Sequence, residues 1–333
     1  MTPSPMPLSV IDFASVRPGQ SVGEALQDSV ALARRAEELD YERVWYSEHH
    51  NMGSIASSAP AVLMAHIASQ TERIRLGSGG VMLPNHSPLV IAEQFGTLAE
   101  LHPDRIDLGL GRAPGTDQQT FRALRREPSA AERFPDDVRE LQAFLGDSPS
   151  DLARTRGIIA TPGRGTRVPL YILGSSLFGA QLAAKFGLPY AFASHFAPDA
   201  LEQASAVYRD RFEPSDQLAE PYMIAAVNVV ADDDTGRAAR ELHWYRRQRV
   251  KLMAGRGRHF SDEELDMVVE SAAGRQILHM ITYTAVGDGP EVRDYLRDFA
   301  ERAGADELMI APVGSTRERV HGTLEVVRRS WSD

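Results

Sequence analysis

Short apolar stretches alternate with helical patterns along nearly the whole of this 333-residue chain. The short stretches have the length of buried strands. The longer segments between them place apolar residues three or four positions apart, as on one face of a helix. This alternation is typical of repeated βα units around a parallel sheet, and it constrains the fold more than any other feature of the sequence.

Eight strands and the helices between them can be placed on the sequence. The predicted strands cover residues 8–13, 43–47, 74–83, 106–111, 169–173, 190–194, 222–230 and 308–311. The predicted helices cover residues 21–40, 59–71, 88–101, 134–145, 176–186, 198–211, 235–253, 261–274 and 290–304, with a closing helix after the last strand. Residues 116–168 break the rhythm and are expected to form an excursion on the surface.

Eight βα units predict an α/β fold of the (β/α)8 type, the TIM barrel, with residues 1–333 as one domain. The alternative is an open, doubly wound sheet. That fold needs a phosphate-binding glycine turn after the first strand, and residues 13–19 do not supply one.

Charge and cysteine content exclude several classes of function. A net charge of −10 disfavours nucleic acid or an anionic membrane as a partner, and no apolar run reaches the roughly 20 residues that span a bilayer. The chain has no cysteine, so iron–sulfur clusters and thiolate nucleophiles are excluded and redox chemistry would need a bound cofactor. The N-terminus lacks the layout of a signal peptide, and a cytosolic location is expected.

Catalytic groups of a TIM barrel lie where its strands end, and the second strand ends in Ser47-Glu48-His49-His50. Neighbouring residues of a strand point to opposite faces, so His49 and His50 are poorly placed to share one ion, and no metal site is predicted. One imidazole is expected to face the barrel mouth as a proton donor or acceptor. The alternative is a histidine that is only hydrogen-bonded within the rim.

The third strand contains the small residues Gly77-Ser78-Gly79-Gly80. They indicate a close approach of the backbone to another group, or a bulge that serves only barrel curvature.

The fourth and fifth strand ends together predict an anion site. Arg112 follows the fourth strand, and its guanidinium matches phosphate with paired hydrogen bonds. The fifth strand runs through Gly174-Ser175-Ser176 directly into a helix, whose first N–H groups are free. Neighbouring strands would bring these groups to one phosphate. A rim salt bridge for Arg112 and ordinary capping by a serine are the alternatives.

The sixth strand ends in Ser194-His195-Phe196, where His195 is either a substrate contact or a structural residue. A basic group follows on a helix and its loop, and it is expected to be a solvated face. Its members are Arg246, Arg247, Arg249, Lys251, Arg256 and Arg258.

These residues resemble the bacterial luciferase-like flavin-dependent monooxygenases, and most closely their non-luminescent branch. The resemblance is densest from Val44 to Arg112. It rests on Val44-Trp45 before Glu48-His49-His50, on 74–84 (IRLGSGGVMLP), on Ala92-Glu93-Gln94 and on 105–112 (RIDLGLGR). Further matches are 169–173 (PLYIL), Ser176, 187–189 (GLP), 243–245 (HWY) and Val286-Gly287.

The family resemblance implies a barrel that binds flavin mononucleotide (FMN), uses it in the reduced form, and reacts with O2. His49 falls on the family's active-site histidine, and Gly79-Gly80 on a non-proline cis peptide that packs against the flavin ring. Arg112 and Ser176 fall on phosphate contacts, whereas Ser175 replaces an acidic residue of luciferase and Gly179 a hydroxyl-bearing phosphate ligand. The predicted cofactor-binding residues are Glu48, Gly79, Gly80, Arg112, Ser175 and Ser176.

The resemblance also carries expectations about partners and mobility. A lid is expected over about 253–264, with Gly255 and Gly257 as hinges. The sequence shows no NAD(P)H fingerprint, so a separate flavin reductase is expected. Family members pair through helices after the second and third strands, so a homodimer is expected.

Three other functions stay open on the sequence. The protein could be a deazaflavin-dependent oxidoreductase on the same barrel, or a flavin-binding relative without turnover. An isomerase acting on a phosphosugar is a more remote alternative.

Overall fold

The computed structural model describes residues 6–113, 117–147, 152, 154–255 and 260–331. Their strands are β1 Leu8–Asp12, β2 Arg43–Tyr46, β3 Arg75–Ser78, β4 Val81–Met82, β5 Ile106–Gly111, β6 Leu170–Gly174, β7 Tyr190–Phe192, β8 Met223–Ala231, β9 Thr284–Gly287 and β10 Glu307–Pro312. The strands pair with one another in parallel.

Helices follow the barrel strands and cover the outside of the sheet. They are α1 Val22–Glu38, α2 Pro60–Ala68, α3 Pro88–Leu101, α4 Gln118–Ala123, α5 Phe134–Leu145, α6 Leu177–Phe186, α7 Leu201–Asp210, α8 Thr235–Gly255, α9 Asp262–Glu270, α10 Ala272–His279, α11 Gly289–Ala303 and α12 Arg317–Trp331. Short 3₁₀ turns cover Leu83–Asn85 and Pro128–Arg133.

The sheet closes into an eight-stranded barrel in the order β10, β1, β2, β3, β5, β6, β7, β8, because β10 also pairs with β8. Ile310 lies opposite Val10 on one side and Val227 on the other. The predicted TIM barrel is therefore confirmed, with each predicted strand in its place.

Several boundaries differ from those predicted. The stretch expected as one third strand is divided into β3 and β4 at Gly79-Gly80. Strand β9 was not predicted; it lies outside the barrel, against the part of β8 that extends beyond β7. The helix expected over 261–274 is two helices, because Ser271 accepts the amide hydrogen of Gly274 and starts a new helix.

The interior of the barrel is filled in layers of different chemistry. The layer at the amino ends of the strands is charged: Arg43 binds Glu307 through Nε at 2.9 Å and Asp107 through Nη1 at 2.8 Å. Above it lies an apolar layer that contains Trp45, which follows Arg43 on the same face of β2. The packed interior leaves the carboxyl ends of the strands as the open mouth.

Two predicted surface segments are described in part. The excursion carries α4 and α5 and returns along α3, where Gly163 lies against the backbone of Ala92 and Gly96. Residues 256–259 lie outside the described residues, so the lid expected over about 253–264 stays a prediction. Within the described ranges, no helix combines the length and apolar character required to cross a membrane.

Candidate active site at the mouth of the barrel

His49 lies at the mouth, just after β2, and is half-buried. Its Nδ1 lies 3.2 Å from the hydroxyl of Ser47, and its ring lies 6.2 Å from that of Phe13, centroid to centroid. Nε2 has no hydrogen-bond partner in the described part of the chain. Burial lowers the pKa of His49, so the ring is neutral at pH 7 and can accept a proton.

Glu48 points to the other face of the strand end, as the alternation along β2 requires. Its Oε1 lies 2.8 Å from Nε2 of His50 and 2.7 Å from Nε2 of His86, and Oε2 accepts the Met82 amide hydrogen at 3.0 Å. Burial favours the neutral acid, but the hydrogen bonds from His50 and His86 prevail and lower the pKa of Glu48. Glu48 is thus bound to protein groups on both oxygens, and its predicted cofactor contact stays a prediction.

His195 reaches the mouth from the opposite side, after β7. Only 4% of the residue is exposed, and its ring lies 5.6 Å from Phe13 and 4.9 Å from Phe196, centroid to centroid. Burial lowers its pKa to about 3, and Arg249 and His49 add to the shift. His195 is therefore a neutral imidazole throughout the physiological pH range.

The glycine run of the third strand is a place of close backbone approach. A Cβ on Gly77 would lie 2.4 Å from the indole ring of Trp45, and a Cβ on Gly80 would lie 2.8 Å from the carbonyl oxygen of Gly109. The Gly79–Gly80 peptide bond is cis, as the resemblance implied. Gly79 itself is partly exposed at the mouth.

Arg112 and the start of α6 meet, as the predicted anion site requires. The guanidinium of Arg112 lies over the ring of Phe178, 4.2 Å from its centroid, in the first turn of α6. Ser176 is the N-cap residue of α6, but its side chain makes no capping hydrogen bond. Ser175 and Ser176 are both exposed, so their hydroxyls and the first N–H groups of α6 are available to an anion.

The loss of a hydroxyl at Gly179 has a structural reason. A Cβ there would lie 3.1 Å from the ring of Tyr190, whose hydroxyl donates to the carbonyl oxygen of Ser176 at 3.0 Å. Tyr190 thus occupies the space that a side chain at residue 179 would need. Its hydrogen bond to Ser176 holds the start of α6 in place.

The sequence did not predict that residues of α8 and β8 contribute to the mouth of the barrel. Arg249 was expected with the other basic residues on a solvated face, but its side chain is half-buried and its Nε is buried. Tyr245, four residues earlier on the same face of α8, donates to Oδ1 of Asn228 at 3.0 Å. A signal was available in Asn228, the polar residue within the otherwise apolar strand β8.

A TIM barrel that brings the imidazoles of His49 and His195 and the guanidinium of Arg112 to the ends of its strands has the arrangement typical of an enzyme. The family model described as luciferase-like monooxygenase matches residues 6–307. The Bacillus subtilis protein YvbT is 45% identical over 98% of this chain and 97% of its own, and a luciferase-like monooxygenase of Escherichia coli K12 is 44% identical over 93% and 92%. The chain belongs to the luciferase-like monooxygenase family.

Solved structures agree with this assignment. The crystal structure of apo-MsnO8 matches with a TM-score of 0.86 and 32% identity, over 98% of both chains. A relative named for its substrate, the N-acetyl-S-alkylcysteine monooxygenase of Bacillus subtilis, is 35% identical over 75% of each chain. A Baeyer-Villiger monooxygenase in complex with FMN and an F420-dependent alcohol dehydrogenase share the fold at 17% and 15% identity, with TM-scores of 0.73 and 0.69.

Proposed function

We propose that this protein is an FMN-dependent monooxygenase that uses reduced FMN and O2 to oxidise a small organic substrate. The observation that carries the proposal is the cradle at the end of β5 and β6, where Arg112 lies over the first turn of α6 beside two exposed serines. These groups fit a phosphate dianion, since they combine a guanidinium stacked on Phe178, hydroxyls and free backbone N–H groups.

Each residue of the mouth then has a separate task. Arg112, Ser175 and Ser176 hold the phosphate, and the partly exposed Gly79 of the cis pair gives the flat ring a surface without side chains. Bound reduced FMN supplies two electrons, so that one oxygen atom of O2 enters the substrate and the other leaves as water. Glu48 positions the segment after the glycine pair through the amide of Met82.

His49 is the proposed proton carrier. Its Nδ1 is held by Ser47, and Nε2 faces no partner in the described residues. Because the imidazole is neutral at pH 7, it can accept a proton during the reaction and return it. Phe13 packs beside it and keeps water from the reacting atoms.

The test uses FMN, reduced FMN and coenzyme F420 in parallel binding measurements, followed by oxygen consumption with reduced FMN and candidate substrates. We expect retention of FMN and O2-dependent oxidation of one substrate class, with N-acetyl-S-alkylcysteines, aldehydes, amines and sulfonates as the first panel. Retention of F420 in place of FMN would contradict the cofactor assignment. Retention of FMN without oxidation of any member would favour a flavin-binding protein without turnover.

We also propose a homodimer and a separate flavin reductase as partners. Val62 on α2 is 71% exposed and Leu101 at the end of α3 is 66% exposed, although both are apolar. Sedimentation should give a dimer for the parent protein and a monomer for a Val62→Asp, Leu101→Asp double variant. An unchanged sedimentation coefficient would place the interface elsewhere.

A further inference from the structure

The ring of His195 is buried without using its hydrogen-bonding capacity. Neither Nδ1 nor Nε2 has a partner among the residues that the structure describes, although the residue is 4% exposed. Phe13 and Phe196 flank the ring and offer it no strong acceptor. Buried polar groups are nearly always hydrogen-bonded, so two free ring nitrogens at an enzyme's mouth indicate a ligand that supplies the missing bond.

A guanidinium on α8 is in the same condition. Nε of Arg249 is buried and lacks a hydrogen-bond partner within the described ranges. Nε of its neighbour Arg247 is likewise buried without a hydrogen bond, but Arg247 forms ion pairs with Asp262 and Asp266 of α9. The acidic residues of α9 therefore neutralise Arg247, whereas Arg249 has no ion pair with any residue that the structure describes.

The inner face of α8 is held against the barrel mouth. The hydroxyl of Tyr245 donates to Asn228 Oδ1 at 3.0 Å, and Nδ2 of Asn228 donates to the carbonyl oxygen of His195 at 2.7 Å. Because Tyr245 and Arg249 are one helical turn apart, this chain of bonds fixes Arg249 on the side that faces His195.

The electrostatic surroundings of His195 are positive. Apart from burial, the groups that lower its pKa are Arg249 and His49, and no carboxylate of the described residues is among the groups that shift it. The surroundings of His195 thus combine the positive charge of Arg249 with an uncharged ring that can donate one N–H. An anion is the ligand that would satisfy both groups together.

We propose that Arg249 and His195 bind a carboxylate of the substrate. The planar guanidinium matches the two carboxylate oxygens with paired hydrogen bonds, and the imidazole N–H adds another. Phe13 and Phe196 contact the apolar part of the same molecule. This inference rests on the proposed function, since it names the substrate class as small apolar acids.

Binding of acids and their carboxamides tests the inference directly. The probes are hexanoate, octanoate and N-acetyl-S-methylcysteine, each against its own carboxamide, measured by calorimetry and by the ring resonances of His195. We expect each acid to bind about tenfold or more tightly than its amide, because a lost charge-assisted hydrogen bond costs about 1.5–3 kcal/mol. The His195 resonances should shift with the acid.

Three variants of α8 test the inference, with Arg246→Met as the matched control for Arg249→Met. Arg249→Met should remove the preference for the acids, and Arg249→Lys should keep part of it. Arg246→Met alters an exposed arginine of the same helix and should leave the preference unchanged. Equal binding of acid and amide, absence of binding for all probes, or a preference that survives in Arg249→Met would overturn the inference.

The measurements are made on the protein alone and on the protein saturated with oxidised FMN. Failure of the inference leaves FMN affinity intact and abolishes only the difference between acid and amide. Failure of the proposed function appears as absent FMN binding, whatever the acids do. If Arg249→Met instead weakens FMN itself, Arg249 is a cofactor contact and the inference is wrong.

Discussion

Arg112 is the residue on which the proposed cofactor most depends, because it is the charged residue of the proposed phosphate cradle. Arg112→Ala should raise the dissociation constant of FMN about ten- to a hundredfold, from the loss of about 1.5–3 kcal/mol of charge-assisted hydrogen bonding. Arg112→Lys keeps the charge but loses the paired hydrogen bonds of the guanidinium. Its dissociation constant for FMN should lie between those of the parent and of Arg112→Ala. Quenching of flavin fluorescence measures each constant.

Riboflavin provides the control for Arg112, since it lacks the phosphate. Its affinity should be the same for the parent protein and for Arg112→Ala. An equal loss for FMN and riboflavin would show that Arg112 acts on the fold or on the ring, and not on the phosphate.

His195 makes a second prediction, about stability against acid. Its pKa in the folded state is about 3, below the 6.5 of an unperturbed histidine. The unfolded chain therefore takes up the proton first, so stability is fully present above pH 6.5 and is lost as the pH falls towards 3. Between pH 6.5 and 4.5 the parent should lose about 2 kcal/mol more of its unfolding free energy than His195→Leu.

Urea unfolding at the two pH values measures this difference. His66→Leu, at an exposed position on α2, should behave as the parent does. Parallel curves for the parent and for His195→Leu would refute the assignment of the effect to His195.

At the scale of elements, the contact between α3 and the returning excursion depends on a pair of glycines. A Cβ on Gly96 would lie 2.2 Å from Cα of Gly163, so Gly96→Ala should cost about 1–3 kcal/mol of stability. Gly322, within α12, has open space where a Cβ would stand, and Gly322→Ala should stabilise the protein by about 0.5–1 kcal/mol. Thermal unfolding of both variants tests the pair, and equal effects would contradict the packing argument.

The strands could be predicted because each is a short apolar run between polar turns, and the rule that barrel sites lie at strand ends then led to His49, Arg112 and His195. Strand β9 was not predicted because its four residues, TAVG, carry little pattern of their own and pair only with the part of β8 that extends beyond β7. The buried position of the Arg249 Nε was not predicted, for a different reason. A basic run on a helix does not reveal which member turns inward; that depends on the bond from Tyr245 to a distant strand.

At the scale of the whole molecule, the charged layer at the amino ends of the strands forms the floor of the barrel. This floor connects strands that are far apart in the sequence. Arg43 of β2 binds Glu307 of β10 and Asp107 of β5, and Glu307 also accepts from Tyr222 at 2.6 Å. Arg43→Met would leave two buried carboxylates without this partner and should cost about 3–5 kcal/mol. Chemical denaturation measures the loss.

An exposed arginine is the control for this floor. Arg73 pairs with Asp40 at the surface, and Arg73→Met should change stability by less than about 0.5 kcal/mol. Adding Glu307→Gln to Arg43→Met should restore part of the loss, since one unpaired charge is removed. A loss for Arg43→Met no larger than that for Arg73→Met would contradict the role of the floor.

Closure of the barrel by β10 also has a consequence for biosynthesis. During translation, β1 and β8 are unpaired edges, and Arg43 has no Glu307 to bind until residues 307–312 have been synthesised. The nascent polypeptide must therefore keep both edges from pairing with other chains for most of its synthesis. Prematurely terminated products that end before Glu307 are expected to go to chaperones or proteases and not to accumulate as partly working enzyme.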